Sequence, residues 1–302
     1  MVRIPFNLDI HNLIDDLRNF SWNASEILLY YSKMLKEGEN IKPIIKTKAG
    51  EDPVTSADLK VNEFIIRSIN EKYKRISWGI LSEENVKLNT DISEKNFDWE
   101  WILDPLDGTK DFIQGTSNYA MHLSLNYKNR PHIGIVLIPE KDELWISDGK
   151  NLRCERRDGS HYKFLKPKNK TISEMTFVCS KNHRNKTLEK LIEKLNFKKV
   201  NFMGSVGCKI ASIIRGDSDI YICLSLPGKS SPKDWDFAAP DAILSAYGGA
   251  ITNINNEKLI YGQKNFEQRG IIIATNDKET HGRTCKEVKE IIRNYSLFPF
   301  DS

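Results

Sequence analysis

Two stretches near the start of the chain carry apolar residues at helical spacing. In residues 8–37, Leu13, Ile14, Leu17, Phe20, Trp22, Ile27, Leu28 and Tyr31 recur every three or four positions. This predicts one long amphipathic helix, stopped by Gly38. A polar loop over residues 47–53 follows, and Leu59, Val61, Phe64, Ile65 and Ile69 then predict a second helix over residues 56–73. Beyond it the period shortens. Residues 99–103, 119–126, 132–138 and 143–147 read as strands. In the second of these, Ala120, His122, Ser124 and Asn126 alternate with Met121, Leu123 and Leu125, which suits a sheet that is wet or helix-covered on one side. A Lys-rich stretch with a proline, over residues 163–174, predicts a boundary between lobes covering 1–168 and 169–302. After it, strands at 176–179, 219–224 and 270–274 alternate with helices at 186–195, 207–215, 237–247 and 285–295, the pattern of a mixed α/β lobe.

Asp104-Pro105-Leu106-Asp107-Gly108-Thr109 interrupts this pattern with chemistry. The apolar run Trp101-Ile102-Leu103 delivers two carboxylates, three residues apart, onto a turn followed by a hydroxyl. Hard cations such as Mg²⁺ take oxygen ligands and use one or two carboxylates together with substrate phosphates. Three further acidic segments accompany it: Asp58 in Thr55-Ser56-Ala57-Asp58, the pair Glu83-Glu84, and Asp236 after Trp235. Each has a plain alternative. Thr55 with Asp58 is a capping-box pattern. Glu83-Glu84 reads as a solvated turn, and Asp236 as an N-cap ahead of Pro240.

Composition narrows the classes. With 302 residues, 39% hydrophobic and 28% charged, the chain suits one large domain or two packed lobes. The formal net charge of +4, with both signs interspersed, gives no argument for nucleic acid or membrane partners and is compatible with a small anionic substrate. No apolar run has the length of a membrane helix, and no apolar h-region follows Arg3, so a cytoplasmic protein is expected. Five cysteines, none in a CxxC, read as free thiols in a reducing compartment. Histidines and cysteines lack zinc-ligand spacing.

Taken jointly, a helix-start Asp, a Glu-Glu, a strand-terminal DPLDGT and a later Trp-Asp resemble the inositol monophosphatase-like superfamily of Mg²⁺-dependent, lithium-sensitive phosphatases. The resemblance covers essentially the whole chain. It implies an α/β (α+β) fold, a layered αβαβα sandwich of two packed lobes. It also implies two or three Mg²⁺ ions held by Glu83, Asp104, the Leu106 carbonyl, Asp107 and Asp236, with Glu84 acting through water. Thr109 and Asp58 fall on the pair that activates the attacking water, and Gly108 and Thr109 would present backbone to the phosphate.

Three segments of the second lobe bear on the ester: Ser180-Lys181-Asn182-His183, Gly204-Ser205-Val206-Gly207-Cys208-Lys209, and residues 227–236, which end in Trp235-Asp236. As isolated groups they are helix caps and turns. Together with DPLDGTKDF they resemble the 3′(2′),5′-bisphosphate nucleotidase branch of the superfamily. That branch hydrolyses adenosine 3′,5′-bisphosphate to AMP and phosphate. The resemblance places Ser180, His183, Ser205, Lys209 and Asp236 around a small-molecule nucleotide, with the amides at Ser205 for the non-reacting phosphate. Ser82 and Asn85, flanking the glutamates, differ from the Gly and Ser common in inositol-type enzymes. Inositol monophosphate or another sugar phosphate is the alternative substrate, and a non-catalytic nucleotide-binding protein the alternative of another class. A monomer or homodimer is expected. The histidines other than His183 are read as structural or exposed.

Overall fold

The computed structural model describes residues 8–38, 45–46, 54–88, 97–164, 166–167, 169–180, 186–226 and 230–299. In chain order, α1 (Ile10–Lys36), β1 (Ile45–Lys46), β2 (Val54–Thr55), α2 (Ser56–Lys72), β3 (Gly79–Ser82), α3 (Glu83–Lys87), β4 (Trp99–Asp107), α4 (Thr109–Ile113), β5 (Ala120–Tyr127), β6 (Arg130–Ile138), β7 (Glu143–Ser147) and β8 (Leu152–Glu155) make up the first part. The second contains β9 (Thr176–Cys179), α5 (Lys186–Leu195), β10 (Lys199–Phe202), α6 (Val206–Arg215), β11 (Ile220–Ser225), α7 (Asp234–Tyr247), β12 (Ala250–Asn253), β13 (Gly270–Thr275) and α8 (Lys278–Asn294).

Two main sheets result. One runs β3-β4-β5-β6-β7-β8, with β3 parallel to β4 and every other pair antiparallel. The other runs β10-β9-β11-β13-β12, parallel over its first three strands and antiparallel over the rest. Side-chain alternation along each strand then sets three apolar layers. Trp101, Leu103, Leu123 and Leu125 face Leu13, Leu17, Val61 and Ile65 of α1 and α2. Ile102, Val136 and Trp145 face the other way, onto Ile210 and Ile213 of α6 and Phe237 and Ile243 of α7, which also meet Tyr221 and Ile272 of the second sheet. On that sheet's far face, Phe177, Ile222 and Ile273 pack against α5 and α8 through Leu188, Leu191, Val288 and Ile292. The order is αβαβα.

Two helix starts differ from the pattern in the sequence. The helix expected at 285 begins at Lys278, capped by the Asp277 side chain on the Glu279 N–H. Residues 278–284, its first two turns, include no aliphatic or aromatic hydrocarbon side chain, so they carry no apolar period. The helix expected at 237 begins at Asp234, which places Asp236 inside the first turn rather than at the cap. All five cysteines are free thiols, four of them buried. No described helix is long and apolar enough to cross a membrane.

Candidate metal centre and active site

β4 carries the acidic turn out of the sheet. Its pairing with β5 slips between Asp104, opposite His122, and Asp107, opposite Ala120, so the bulge at Pro105 and Leu106 separates the two carboxylates. The Asp104 Oδ1 atom accepts the Leu106 N–H at 3.0 Å, which folds the turn back on itself. Gly108 adopts φ 85°, and a Cβ there would lie 2.9 Å from the Asn118 carbonyl oxygen and 3.1 Å from the Ser205 nitrogen. The glycine thus makes room for the neighbouring chain, where the Ser205 N–H bonds the Asn118 carbonyl at 3.1 Å. The Thr109 hydroxyl donates to the Leu106 carbonyl at 3.0 Å. From the opposite side, α7 brings Asp236, whose Oδ2 accepts the Lys233 N–H at 2.6 Å.

Carboxylate oxygens of Asp104, Asp107 and Asp236 all lie within 4.8 Å of one another. Burial pushes the Asp104 carboxyl well above its ordinary range, and the charges of Glu83, Asp107 and Asp236 push it further. Burial and the charges of Asp107 and Glu83 do the same to Asp236. Negative groups that raise one another in this way are relieved by a cation between them. The donor set is oxygen only, which fits Mg²⁺ and gives no foothold to a soft metal.

Glu83 and Glu84 open α3 beside this turn. Ser82 donates to Asn62 Oδ1 and Asn62 Nδ2 donates to Asn85 Oδ1 at 2.9 Å, which ties α3 to α2. The two residues that depart from the inositol-type pattern therefore anchor the glutamates. Lys87 closes the helix, with Nζ 2.8 Å from Glu83 Oε1 and 3.3 Å from Glu84 Oε1. Burial works against its charge, but Glu83 and Glu84 outweigh burial and hold the ammonium above the usual lysine range. Asp58 is buried at the start of α2, where the capping box expected from Thr55 is present: Asp58 Oδ2 accepts the Thr55 N–H at 2.8 Å and the Thr55 hydroxyl as well. Burial pushes the Asp58 carboxyl up to about 8, against the Thr55 hydrogen bond and with help from Glu84. No hydrogen bond among the described residues joins Asp58 to Thr109.

At the start of α6, where a substrate phosphate is expected to sit, each amide has a protein partner. Ser205 N–H bonds Asn118, Val206 N–H bonds Asp107 Oδ2, Gly207 N–H bonds His122 Nε2 at 3.1 Å, and Cys208 N–H bonds the Ser205 hydroxyl at 3.2 Å. Ser205 is fully buried as the N-cap. The helix dipole and its donors are spent on holding Asp107 and the adjoining loop. Lys209 is likewise buried. Its Nζ donates to the Gly204 carbonyl at 2.5 Å and lies 5.2 Å from the centre of the Tyr221 ring. Burial lowers its ammonium below the ordinary range, opposed by Asp107. Ser180 is half-buried just after β9. His183 lies outside the described residues.

His122 is the residue that sequence reasoning missed. It is buried in β5, its Nδ1–H donates to the Trp235 carbonyl at 3.3 Å, and its Nε2 accepts from Gly207. Nε2 also lies 3.4 Å from Asp107 Oδ2. One imidazole thus spans the strand, the start of α6 and the residue before Asp236. Those bonds specify the neutral Nδ1–H form, and burial lowers its pKa accordingly, with Asp107 opposing. The signal was there in the alternation: a strand buried along both faces, with His122, Ser124 and Asn126 on one of them, requires partners for each polar group.

Comparison with known proteins agrees with this geometry. The profile of the inositol monophosphatase family matches residues 16–293. The 3′(2′),5′-bisphosphate nucleotidase CysQ of Buchnera aphidicola is 30% identical over 218 residues, 72% of this chain and 77% of its own length. The Nus factor SuhB of Escherichia coli is 27% identical over 236 residues, 76% of this chain and 80% of its own. Among solved structures, an inositol monophosphatase from Anabaena superposes with a TM-score of 0.70 at 20% identity, covering 94% of this chain and 97% of that one. The chain belongs to the inositol monophosphatase family of phosphatases.

Proposed function

We propose that this phosphatase is a Mg²⁺-dependent bisphosphate nucleotidase that removes the 3′-phosphate of adenosine 3′,5′-bisphosphate, releasing AMP and inorganic phosphate. The observation that carries the phosphatase chemistry is the convergence of Asp104, Asp107 and Asp236 oxygens within 4.8 Å. Support for the nucleotide comes from the CysQ relatives, at 27% and 30% identity over about three quarters of the chain. In this reading Asp104, Asp107, Asp236, Glu83 and the Leu106 carbonyl hold the cations. Bound there, Mg²⁺ supplies Lewis acidity to the phosphoryl oxygens and lowers the pKa of a water.

The rest falls to the chain. With its proton given to the Leu106 carbonyl, the Thr109 hydroxyl turns its lone pairs outward and can accept a hydrogen bond from the attacking water. A carboxyl pushed up to about 8, as at Asp58, has the basicity, once ionised, to take the water's proton through Thr109, provided that it turns from Thr55 and that the Thr109 hydroxyl turns its own proton from the Leu106 carbonyl to it as it takes up the water's. The water oxygen bonds to phosphorus as the bond between phosphorus and the 3′ oxygen breaks, and that oxygen takes up a proton. No covalent phosphoenzyme is involved. Lys209, Ser180 and His183 would face the nucleotide, which requires Lys209 to exchange the Gly204 carbonyl for a substrate oxygen. A small soluble nucleotide is the partner in this reading, with the chain acting in the cytoplasm as a monomer or homodimer.

Inositol 1-phosphate is the second reading, favoured by the profile of the inositol monophosphatase family, which matches residues 16–293. The deciding measurement is phosphate release from adenosine 3′,5′-bisphosphate, inositol 1-phosphate and fructose 1,6-bisphosphate, with Mg²⁺ and with chelator. The nucleotide should be cleaved with the highest kcat/KM, only with Mg²⁺, and not by Asp107→Asn. A higher kcat/KM for inositol 1-phosphate would replace the substrate, and full turnover by Asp107→Asn would remove the metal reading.

A further inference from the structure

We propose that Lys87 sets the cation affinity of this centre, its ammonium competing with the metal for Glu83 and Glu84. The inference rests on the reading that Glu83 belongs to the metal-binding set. Three observations carry it. α3 is a single short helix, so Glu83 and Lys87 stand at i and i+4 on one face and the contact is built into the backbone. The Ser82–Asn62–Asn85 hydrogen bonds fix that helix to α2, so the lysine is delivered at a set position. Glu83 also acts on the other side, where its charge and side-chain hydrogen bond bear on Asp104 and its charge on Asp236. One carboxylate therefore answers to both an ammonium and the aspartate cluster.

The charges make the two occupants rivals. A divalent cation drawn by Asp104, Asp107 and Asp236 also draws Glu83, and an ammonium 2.8 Å from the same carboxylate repels it. Glu84, 1% exposed, cannot turn to water for relief, whereas the Lys87 side chain is 34% exposed and can. When the metal arrives, the lysine is the group free to swing out. When no metal is bound, the lysine keeps two adjacent carboxylates from standing uncompensated. The acids alone would bind more tightly, and Lys87 raises the concentration at which the site fills.

The test is calorimetric titration with Mn²⁺, standing in for Mg²⁺, of wild type, Lys87→Met, Lys87→Gln, Lys87→Arg and Asp107→Asn. Melting midpoints are measured in parallel with chelator and with saturating Mn²⁺. Removing the positive charge should tighten Mn²⁺ binding by roughly tenfold, a size set by one partly screened charge near a divalent ion. Lys87→Arg should stay near wild type. With chelator, Lys87→Met and Lys87→Gln should melt below wild type, and Mn²⁺ should close the gap. If wild type binds, Asp107→Asn does not, and both neutral variants bind no tighter than wild type, Lys87 has no such role while the metal site stands. If wild type itself fails to bind, the metal reading falls and this one with it.

Discussion

Each of the two sheets buries one histidine against a helix, and the two imidazoles have opposite uses. His122 in β5 reaches out of its sheet, to Gly207 at the start of α6 and to the carbonyl before Asp236, and stands 3.4 Å from Asp107. His281 in α8 reaches back into its own half. Its Nε2 lies 2.7 Å from the Thr252 hydroxyl and its Nδ1 lies 2.8 Å from the Thr275 hydroxyl, with Cys285 Sγ 3.4 Å from Nε2. Since Thr252 already donates to the Asn253 carbonyl, it accepts from Nε2–H, and Nδ1 accepts from Thr275. Both rings are neutral and lowered by burial. What separates them is the far end of each hydrogen bond: carboxylate-bearing elements for His122, strands β12 and β13 for His281. A buried histidine is a functional clue only through the groups that it holds.

Swapping each ring for a methyl group should separate the two roles. His122→Ala frees the Gly207 N–H and the Trp235 carbonyl beside two metal-cluster aspartates. Loss of such supporting contacts typically costs about 10–100-fold in metal affinity or activity. His281→Ala leaves two threonine hydroxyls and a cavity, a loss of about 2–4 kcal/mol in stability. Turnover per folded molecule should fall in the first variant and hold in the second, and melting should rank them the other way. Full turnover and Mn²⁺ affinity in His122→Ala would make its ring a packing element like the other.

Acid sharpens the contrast further. The His281 pKa is lowered from 6.5 to about 4, and burial alone is the cause. The folded state prefers the neutral ring, so its stability is complete above pH 6.5 and falls as the pH drops through 6.5 toward 4. The whole loss is about 3 kcal/mol below that range. Urea melts between pH 7 and pH 4 should show this limb, flattened in His281→Ala relative to wild type. An identical slope in the variant would mean that carboxylates alone set the acid response.

How far the sequence reaches follows from the same pair. The acidic turn, the Glu-Glu pair and the Trp-Asp were legible because their chemistry is local: six residues carry Asp104, Asp107 and Thr109 on one turn, whereas the helix that Glu83 and Glu84 open reads in the sequence as a solvated turn. The αβαβα layers were legible from family resemblance and from periods of apolar residues. The partners of α6 were not. Gly204-Ser205-Val206-Gly207 has the composition of a phosphate cradle, but its amides are claimed by His122 and Asp107, which lie 85 and 99 residues away in the chain. Only the folded sheet brings them there. The start of α8 was hidden for a simpler reason, since polar residues have no apolar period to read, even where His281 among them is buried.

The two glycines beside these rings repeat the contrast, and the one beside His281 carries the smallest effect. Gly207 opens α6, and a Cβ on it would sit 2.3 Å from His122 Nε2 and 2.7 Å from a Val136 methyl. Neither neighbour can move without breaking the contacts described above, so Gly207→Ala should disturb the metal cluster much as His122→Ala does. Gly282 follows His281 inside α8, and its Cβ would meet only the Asn256 amide, at 3.0 Å. That amide ends a flexible side chain and can give way, while alanine is favoured over glycine within a helix by about 1 kcal/mol. Gly282→Ala should therefore leave turnover untouched and hold or slightly raise the melting midpoint. A clear drop in the Gly282→Ala midpoint would mean that the His281 network is as tightly fitted as the site around His122, and the contrast between the two sheets would narrow to chemistry alone.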